Sequence, residues 1–297
     1  MNTTLVTTLA LALILSNGTA SLRAQSCNTT AVMTAPPAAG SPLLLKVILN
    51  PRANIRDRLE AAQFLGEDLG CGEVDTLYCF LKSHPDAREN NMAGLHALKN
   101  DVINALKDQS TPPAGLTATL IGIYQDRAQD FVTRDYAIQH LTSWCGRGAG
   151  DAPDAKERIH AILREATQEH TTIAGTALLG LHRLSLADRS LNRAQIDRRA
   201  LEMVTMPETA VAARITAVGI CAERGVAQAL PEIERLAQAR GQTALQLSAI
   251  AALGKLGKTE DAALLRRLGR GADMALRPAI ESALKRLTPA LASRESF

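Results

Sequence analysis

The sequence predicts an all-α fold, a solenoid of about seven antiparallel helix pairs, on three observations. A phrase returns at near-regular intervals: ARITAVGICAERG at 213–225, LQLSAIAALGKLG at 245–257 and LRPAIESALKRL at 276–287, offset by 32 and then 31 residues. Self-similarity at such a period marks stacked supersecondary units that bury their apolar faces against one another. Second, apolar positions recur at helical spacing with Ala and Leu dominant. Aromatic residues are only 3% of the 297, which suits thin helix-on-helix layers. Third, alternating runs of Val, Ile and Thr are scarce, so strands are not expected.

The elements follow in chain order. Residues 5–15, LVTTLALALIL, form an apolar stretch the length of a signal-peptide core and too short to span a membrane. Small residues at Gly18 and Ala20 permit cleavage, and a cut after Ala24 gives a leader over 1–24. No Lys or Arg precedes the run, so only the terminal amine supplies positive charge there. Residues 25–42, rich in Thr, Ala and Pro, read as a disordered tether. Cys27 within it follows Ala24-Gln25-Ser26, a loose lipobox, and is the candidate lipidation site.

Residues 43–292 carry the repeats, and 293–297 form a short tail. Seven first helices are anchored at Arg58, Asn91, Arg134, Thr172, Arg214, Gln246 and Arg277. The phrase places small Ala and Gly in the apolar stripe, which lets axes approach to about 8–10 Å, and its closing Gly suits a left-handed cap. Second helices are expected over 74–82, 116–124, 155–165, 192–204, 227–238 and 260–268. The Gly-rich link at 146–151 is a loop between helices. No strand precedes it, so it is no dinucleotide fingerprint.

Composition bounds the function. Net charge is +3, too mild to imply nucleic acid. There is no Cys-x-x-Cys, no His-Glu-x-x-His, no phosphate loop and no nucleophile elbow. His160, Glu165, Glu169 and His170 share a stretch without placing four ligands on one face, so neither metal nor cofactor is expected. Trp144 and Tyr124 read as packing residues. The cysteines are expected to be free thiols buried in the helical core. Cys145 and Cys221 sit two layers apart, beyond the ~5.5 Å that a disulfide spans. Cys71, ahead of its helix, and Cys79, inside it, pair at most as a minor species.

The pattern resembles HEAT repeats over roughly residues 45–290. Over 208–290 it is similar to the short HEAT-like repeats of phycobilisome lyases. The resemblance implies a superhelix whose second helices line the concave side, with the anchor Arg supporting packing between units. Arg58, Arg134, Arg214 and Arg277 match that position; Asn91, Thr172 and Gln246 depart from it. In the second helices, Ile159, Ile196, Ile233 and Leu265 share a core phase, and two residues later stand Ala161, Arg198, Arg235 and Arg267. That step turns about 200° around the helix. Arg198, Arg235 and Arg267 thus form a candidate basic row for an acidic protein or peptide partner. The competing reading is local pairing, of Arg198 with Glu202 and of Arg235 with Glu232.

The sequence thus points to an exported, non-enzymatic scaffold of the periplasm or cell envelope that binds a protein or peptide along its concave face. It has no transmembrane span, and Cys27 is its candidate lipid anchor. The alternatives are a HEAT-like lyase- or glycosylase-type enzyme, or a purely structural envelope component. Mass spectrometry of protein from its native host should find a mature N-terminus between Ser21 and Cys27; intact Met1 in a cytoplasmic fraction would refute export.

Overall fold

The computed structural model describes residues 41–85, 91–148, 154–271 and 273–287. The leader, Cys27 and the C-terminal tail lie outside these residues, as does all of the tether except its last two positions. The described residues form fourteen α-helices, none of them long and apolar enough to cross a membrane. They alternate along the chain. The odd helices are α1 (Ser41–Leu49), α3 (Cys71–Lys82), α5 (Leu116–Gln125), α7 (Ala155–Ala166), α9 (Arg193–Thr205), α11 (Leu230–Gln238) and α13 (Asp261–Arg270). The even helices are α2 (Ile55–Gln63), α4 (Met92–Lys107), α6 (Phe131–Gly146), α8 (Thr172–Ala187), α10 (Val211–Arg224), α12 (Thr243–Leu256) and α14 (Arg277–Leu287). Even helices pack on their even neighbours and on the odd helix before them, which gives a two-layered HEAT-like stack. Helix α1, which the repeat pattern missed, supplies the odd layer at the start of the stack.

Local chemistry explains the helix starts. Asn54, Asn91, Asp130 and Asn192 each accept a backbone N–H of the first turn, at 2.9, 2.9, 3.0 and 3.2 Å. Gly70 N–H is received by the Glu73 carboxylate at 2.8 Å, which starts α3. Gly225, at φ 72°, ends α10 in the left-handed conformation that its place in the phrase suggested, whereas Gly257, in the same place after α12, is extended at φ −65°.

The even layer is drawn together by small residues. A Cβ added to Gly175 of α8 would lie 2.8 Å from Ala213 Cα on α10, and one on Gly254 of α12 would lie 2.8 Å from Ala283 Cα on α14. Both contacts are with backbone that cannot move aside, so the backbones meet directly.

The anchor position has a definite job. Arg58, Arg134 and Arg214 are each the fourth residue of an even helix. Each donates to a carbonyl of the preceding odd helix: Arg58 Nε to Ile48 O at 2.9 Å, Arg134 Nε to Tyr124 O at 2.8 Å, and Arg214 Nη2 to Val204 O at 2.9 Å. Gln246, also fourth in its helix, donates to Ala237 O at 2.9 Å. All four acceptors are penultimate residues of their helices, where carbonyls lack intrahelical partners and the dipole favours a cation. Sequence alignment misplaced three anchors. Asn91 is an N-cap, and the fourth residue of α4 is the buried Leu95. Thr172 is the first residue of α8, whose fourth is Gly175. Arg277 is exposed at the first position of α14, where the buried Ile280 is fourth. It matches the anchor in sequence and does not act as one.

The cysteine expectation is corrected in part. Cys71, Cys79, Cys145 and Cys221 are all free thiols, but only Cys221 is buried, while Cys71 and Cys79 are exposed. Cys71 opens α3 rather than preceding it, so it shares one helix with Cys79. Their eight-residue separation is about 12 Å along the axis, too far to bridge.

Arg214→Leu leaves the Val204 carbonyl without its donor and the Glu232 carboxylate with Arg235 alone, and should destabilise the stack by about 1–3 kcal/mol. Arg214→Gln, which copies the Gln246 arrangement, should cost less than half of that. Thermal melts of the two variants against the unsubstituted protein decide it.

Candidate functional site

The candidate arginines lie on three successive odd helices, α9, α11 and α13. Ile196, Ile233 and Leu265 are all buried, and two residues beyond them Arg198, Arg235 and Arg267 are all exposed. The three arginines differ in what holds them. Arg235 is clamped by Glu232, Nε to Oε2 at 2.7 Å and Nη2 to Oε1 at 2.5 Å, the local pair that sequence spacing offered as the competing reading. The same carboxylate takes Arg214 Nη2 at 3.2 Å, so Glu232 joins an anchor to the row. Arg267 Nη2 donates to Gln238 Oε1 at the end of α11, at 3.3 Å. The expected Arg198–Glu202 pair is not made. Arg199 takes Glu202 at 2.9 Å instead, and also donates from Nε and Nη2 to Thr167 O at 3.1 and 2.5 Å. Thr167 follows the last residue of α7. Arg199 therefore caps α7 from the neighbouring odd helix, a role that spacing within one helix could not reveal.

Two clefts meet at Arg198. One, of about 260 Å³, lies between α7 and α9 and is walled by Arg164, Arg198 and Arg199 over a floor of Leu181, Leu191 and Ile196. The other, of about 380 Å³, lies between α9 and the turn after α10, against Leu201, Gly225 and Val226. Asp197 and Arg224 face it as an ion pair, and Arg224 also donates to Arg193 O at 3.1 Å.

Three polar clusters, two buried and one half-buried, lie elsewhere. In the first, Lys107 Nζ donates to His140 Nδ1 at 3.0 Å, Ser143 Oγ at 2.9 Å and Asn104 Oδ1 at 3.3 Å, and His140 Nε2 meets Asn100 Oδ1 at 3.0 Å. The network assigns His140 as neutral with the proton on Nε2. Burial above all, then the nearby Lys107 and Arg147 charges, pushes this imidazole down to about 3. Burial likewise lowers Lys107, with Arg147 beside it, to about 8. In the second, Lys99 Nζ caps α3 through Leu81 O at 3.1 Å and Ser83 O at 2.7 Å, and burial brings it to about 8 against the pull of Asp130 and Asp126. In the third, Cys145 Sγ lies 3.7 Å from His160 Nε2, which Asp188 Oδ2 approaches at 3.6 Å while pairing with Lys156 at 2.8 Å. Thiol and carboxylate address the same ring nitrogen, so Asp188 does not orient the imidazole from its far side as a nucleophile–base–carboxylate relay requires. Burial raises the Cys145 thiol above its ordinary value, which keeps it protonated.

His160, Glu165, Glu169 and His170 are not brought together. Glu169 binds Arg134 at 2.5 Å and Arg127 at 2.6 Å, while Glu165 and His170 are exposed. Among the described residues no group of three or more His, Cys, Asp or Glu could hold a metal ion. Trp144 and Tyr124 are packing residues: Trp144 Nε1 donates to Thr117 Oγ1 at 3.2 Å, and the Arg134 guanidinium sits 5.2 Å from the Tyr124 ring centroid.

No protein-family model matches the chain, and no curated protein matches it. Among solved structures it is similar to human deoxyhypusine hydroxylase in complex with glycerol, at 15% identity and a TM-score of 0.37, covering 84% of this chain and 96% of that one. It is similar to an engineered protein at 13% identity and a TM-score of 0.42, covering 85% and 98%. It is also similar to the complex of CpcE and CpcF of phycocyanin lyase from a Nostoc species, at 15% identity and a TM-score of 0.30, covering 89% and 100%. Two of these three are enzymes, a hydroxylase and a lyase. The expectation that the chain is not an enzyme is corrected by that finding: a stack without a recognisable catalytic signature is no ground for excluding activity.

The His140 cluster should set an acid limit on stability. The unfolded chain protonates this imidazole near its ordinary 6.5, whereas the folded chain refuses the proton until about 3. The stability it confers is complete above pH 6.5 and falls as pH drops from 6.5 towards 3. That loss amounts to about 2 kcal/mol between pH 7 and pH 5. In urea unfolding at those two pH values, His140→Gln should show a drop smaller by about that amount.

Proposed function

We propose that this protein is an exported helical-repeat protein that holds a protein or peptide partner on its odd-helix side. An acidic segment of the partner meets Arg198, Arg235 and Arg267. One observation carries the reading: the three arginines stand exposed at the same step from a buried residue on successive odd helices, with two clefts converging on the first of them. Arg suits this role because its planar fork matches a carboxylate and stays charged at any physiological pH. The compartment in this reading, the periplasm or cell envelope, rests on the apolar segment at 5–15 and the small residues after it. Cys27 is the point at which a lipid would tether the chain to a membrane. Holding a partner is equally the first step of a HEAT-like lyase-type enzyme that modifies what it binds, and a turnover assay on the captured partner separates the two.

The triple substitution Arg198→Gln, Arg235→Gln, Arg267→Gln should leave the melting temperature nearly unchanged, since exposed ion pairs contribute about 0–1 kcal/mol each. It should abolish capture of the partner from native envelope extract, and capture by the unsubstituted protein should weaken as salt rises. Unchanged, salt-insensitive capture by the folded triple variant would remove the row from the proposal.

A further inference from the structure

We infer that the cleft between α7 and α9 is the recognition pocket of this face, and that it takes one carboxylate side chain together with an adjacent apolar side chain of the partner segment, with Arg164 and Arg198 as the clamp. This rests on the reading of the odd-helix side as a partner-binding surface and narrows it to one place.

Four observations converge there. The first is charge. The lining holds Arg164, Arg198 and Arg199 against a single acid, Glu202, so three positive charges less one negative leave a net +2. The second is availability. Glu202 is already engaged by Arg199. Arg164 and Arg198 are exposed, and neither meets a carboxylate among the described residues. Arg235 and Arg267 lack this freedom, the one being chelated by Glu232 and the other bonded to Gln238. The third is the floor. Leu181, Leu191 and Ile196 are all at most 5% exposed yet border the cleft, so an apolar group entering it would leave water for a ready-made apolar surface. The fourth is size. At about 260 Å³ the cleft falls below the ~300 Å³ at which pockets for drug-sized ligands begin. That volume takes one or two side chains. Bare charge recognition would need no floor, and a purely apolar groove would have no use for two exposed guanidiniums.

The test uses the full chain and a fluorescein-labelled acetyl-Leu-Glu-Leu-Glu-Leu-amide peptide, read by fluorescence polarisation at low salt. Saturable binding is expected. Arg164→Gln and Arg198→Gln should each weaken it about tenfold, roughly 1.4 kcal/mol, while Arg52→Gln, at an exposed arginine outside both the cleft and the row, should change it less than about twofold. Arg198→Lys, which keeps the charge without the fork, should fall between. Peptides with Gln for each Glu, or Gly for each Leu, should not bind. Melting temperatures of all variants confirm that the stack is intact. Inorganic phosphate as competitor, with the Gly-containing peptide, separates charge from shape. If phosphate displaces the probe and the Gly peptide binds as well as the Leu peptide, the cleft reads charge alone and the inference is overturned. Loss of binding in Arg235→Gln with retention in Arg198→Gln overturns the cleft and leaves the wider face standing. Absence of saturable binding by the unsubstituted protein overturns the cleft too, while capture from envelope extract judges the wider reading independently.

Discussion

The stack depends on how its odd helices end. In a fold of two thin layers, each odd helix runs its C-terminal carbonyls into the junction with the next pair, where few backbone partners exist. Side chains meet that demand at six junctions. Arg58, Arg134, Arg214 and Gln246 reach the penultimate carbonyls of α1, α5, α9 and α11 from the fourth position of the following even helix. In α4 that position is Leu95, and Lys99, one turn further on, reaches the penultimate Leu81 carbonyl of α3 with its longer stem. Each bond ties two layers and two successive helices at once. The apolar stripe supplies the bulk of the attraction, and the caps fix which helix ends face which.

The sixth junction shows how the cleft arises from this constraint. The fourth residue of α8 is Gly175, because α8 must approach α10 so closely that even a Cβ there would strike Ala213. A glycine cannot cap α7. Arg199 does so from α9, reaching across to Thr167 O. The cap is thereby moved from the even layer into the odd one, and the guanidinium that makes it becomes a wall of the space between α7 and α9. Arg199 then draws Glu202 to itself, which leaves Arg198, about 100° round the helix, without the partner that its i+4 spacing had offered. A packing requirement in one layer thus places an unpaired charge in the other.

The same chain of cause explains what was legible in the sequence. The helical periodicity, most of the odd-helix bounds and four of the seven anchors could be read because they depend on residues within one helix or one repeat. Asn91, Thr172 and Arg277 were misassigned because links of unequal length hide the frame, and a cap residue or a first-turn residue then aligns as well as the true fourth position. The Arg235–Glu232 pair was legible as an i−3 neighbour. The loss of Glu202 to Arg199 was not, since it depends on a carbonyl 32 residues away. The clefts were likewise invisible: a gap between two helices is a property of what holds them apart, and no single helix carries its signature. Exposed Cys71 and Cys79 escaped for a related reason. A cysteine in a helical repeat is presumed apolar and inward, but Cys79 falls on the side of α3 away from its buried stripe of Val74, Leu77, Tyr78 and Leu81, and Cys71 is the first residue of that helix, at its exposed end.

The buried charges constrain what chemistry the described residues can offer. Lys99 and Lys107 are brought towards neutrality by burial, the condition under which a lysine becomes nucleophilic, yet their donors are directed at fixed protein acceptors on facing elements. Cys145 stands beside an imidazole, but burial keeps its proton on sulfur. The lysines and the imidazole whose proton affinities burial lowers are therefore held by facing elements. The groups free to meet another molecule, Arg164 and Arg198, lie on the surface, where any one contact is weak. Recognition on such a face has to be assembled from several modest contacts along successive helices, and a repeat architecture provides that by placing equivalent positions side by side.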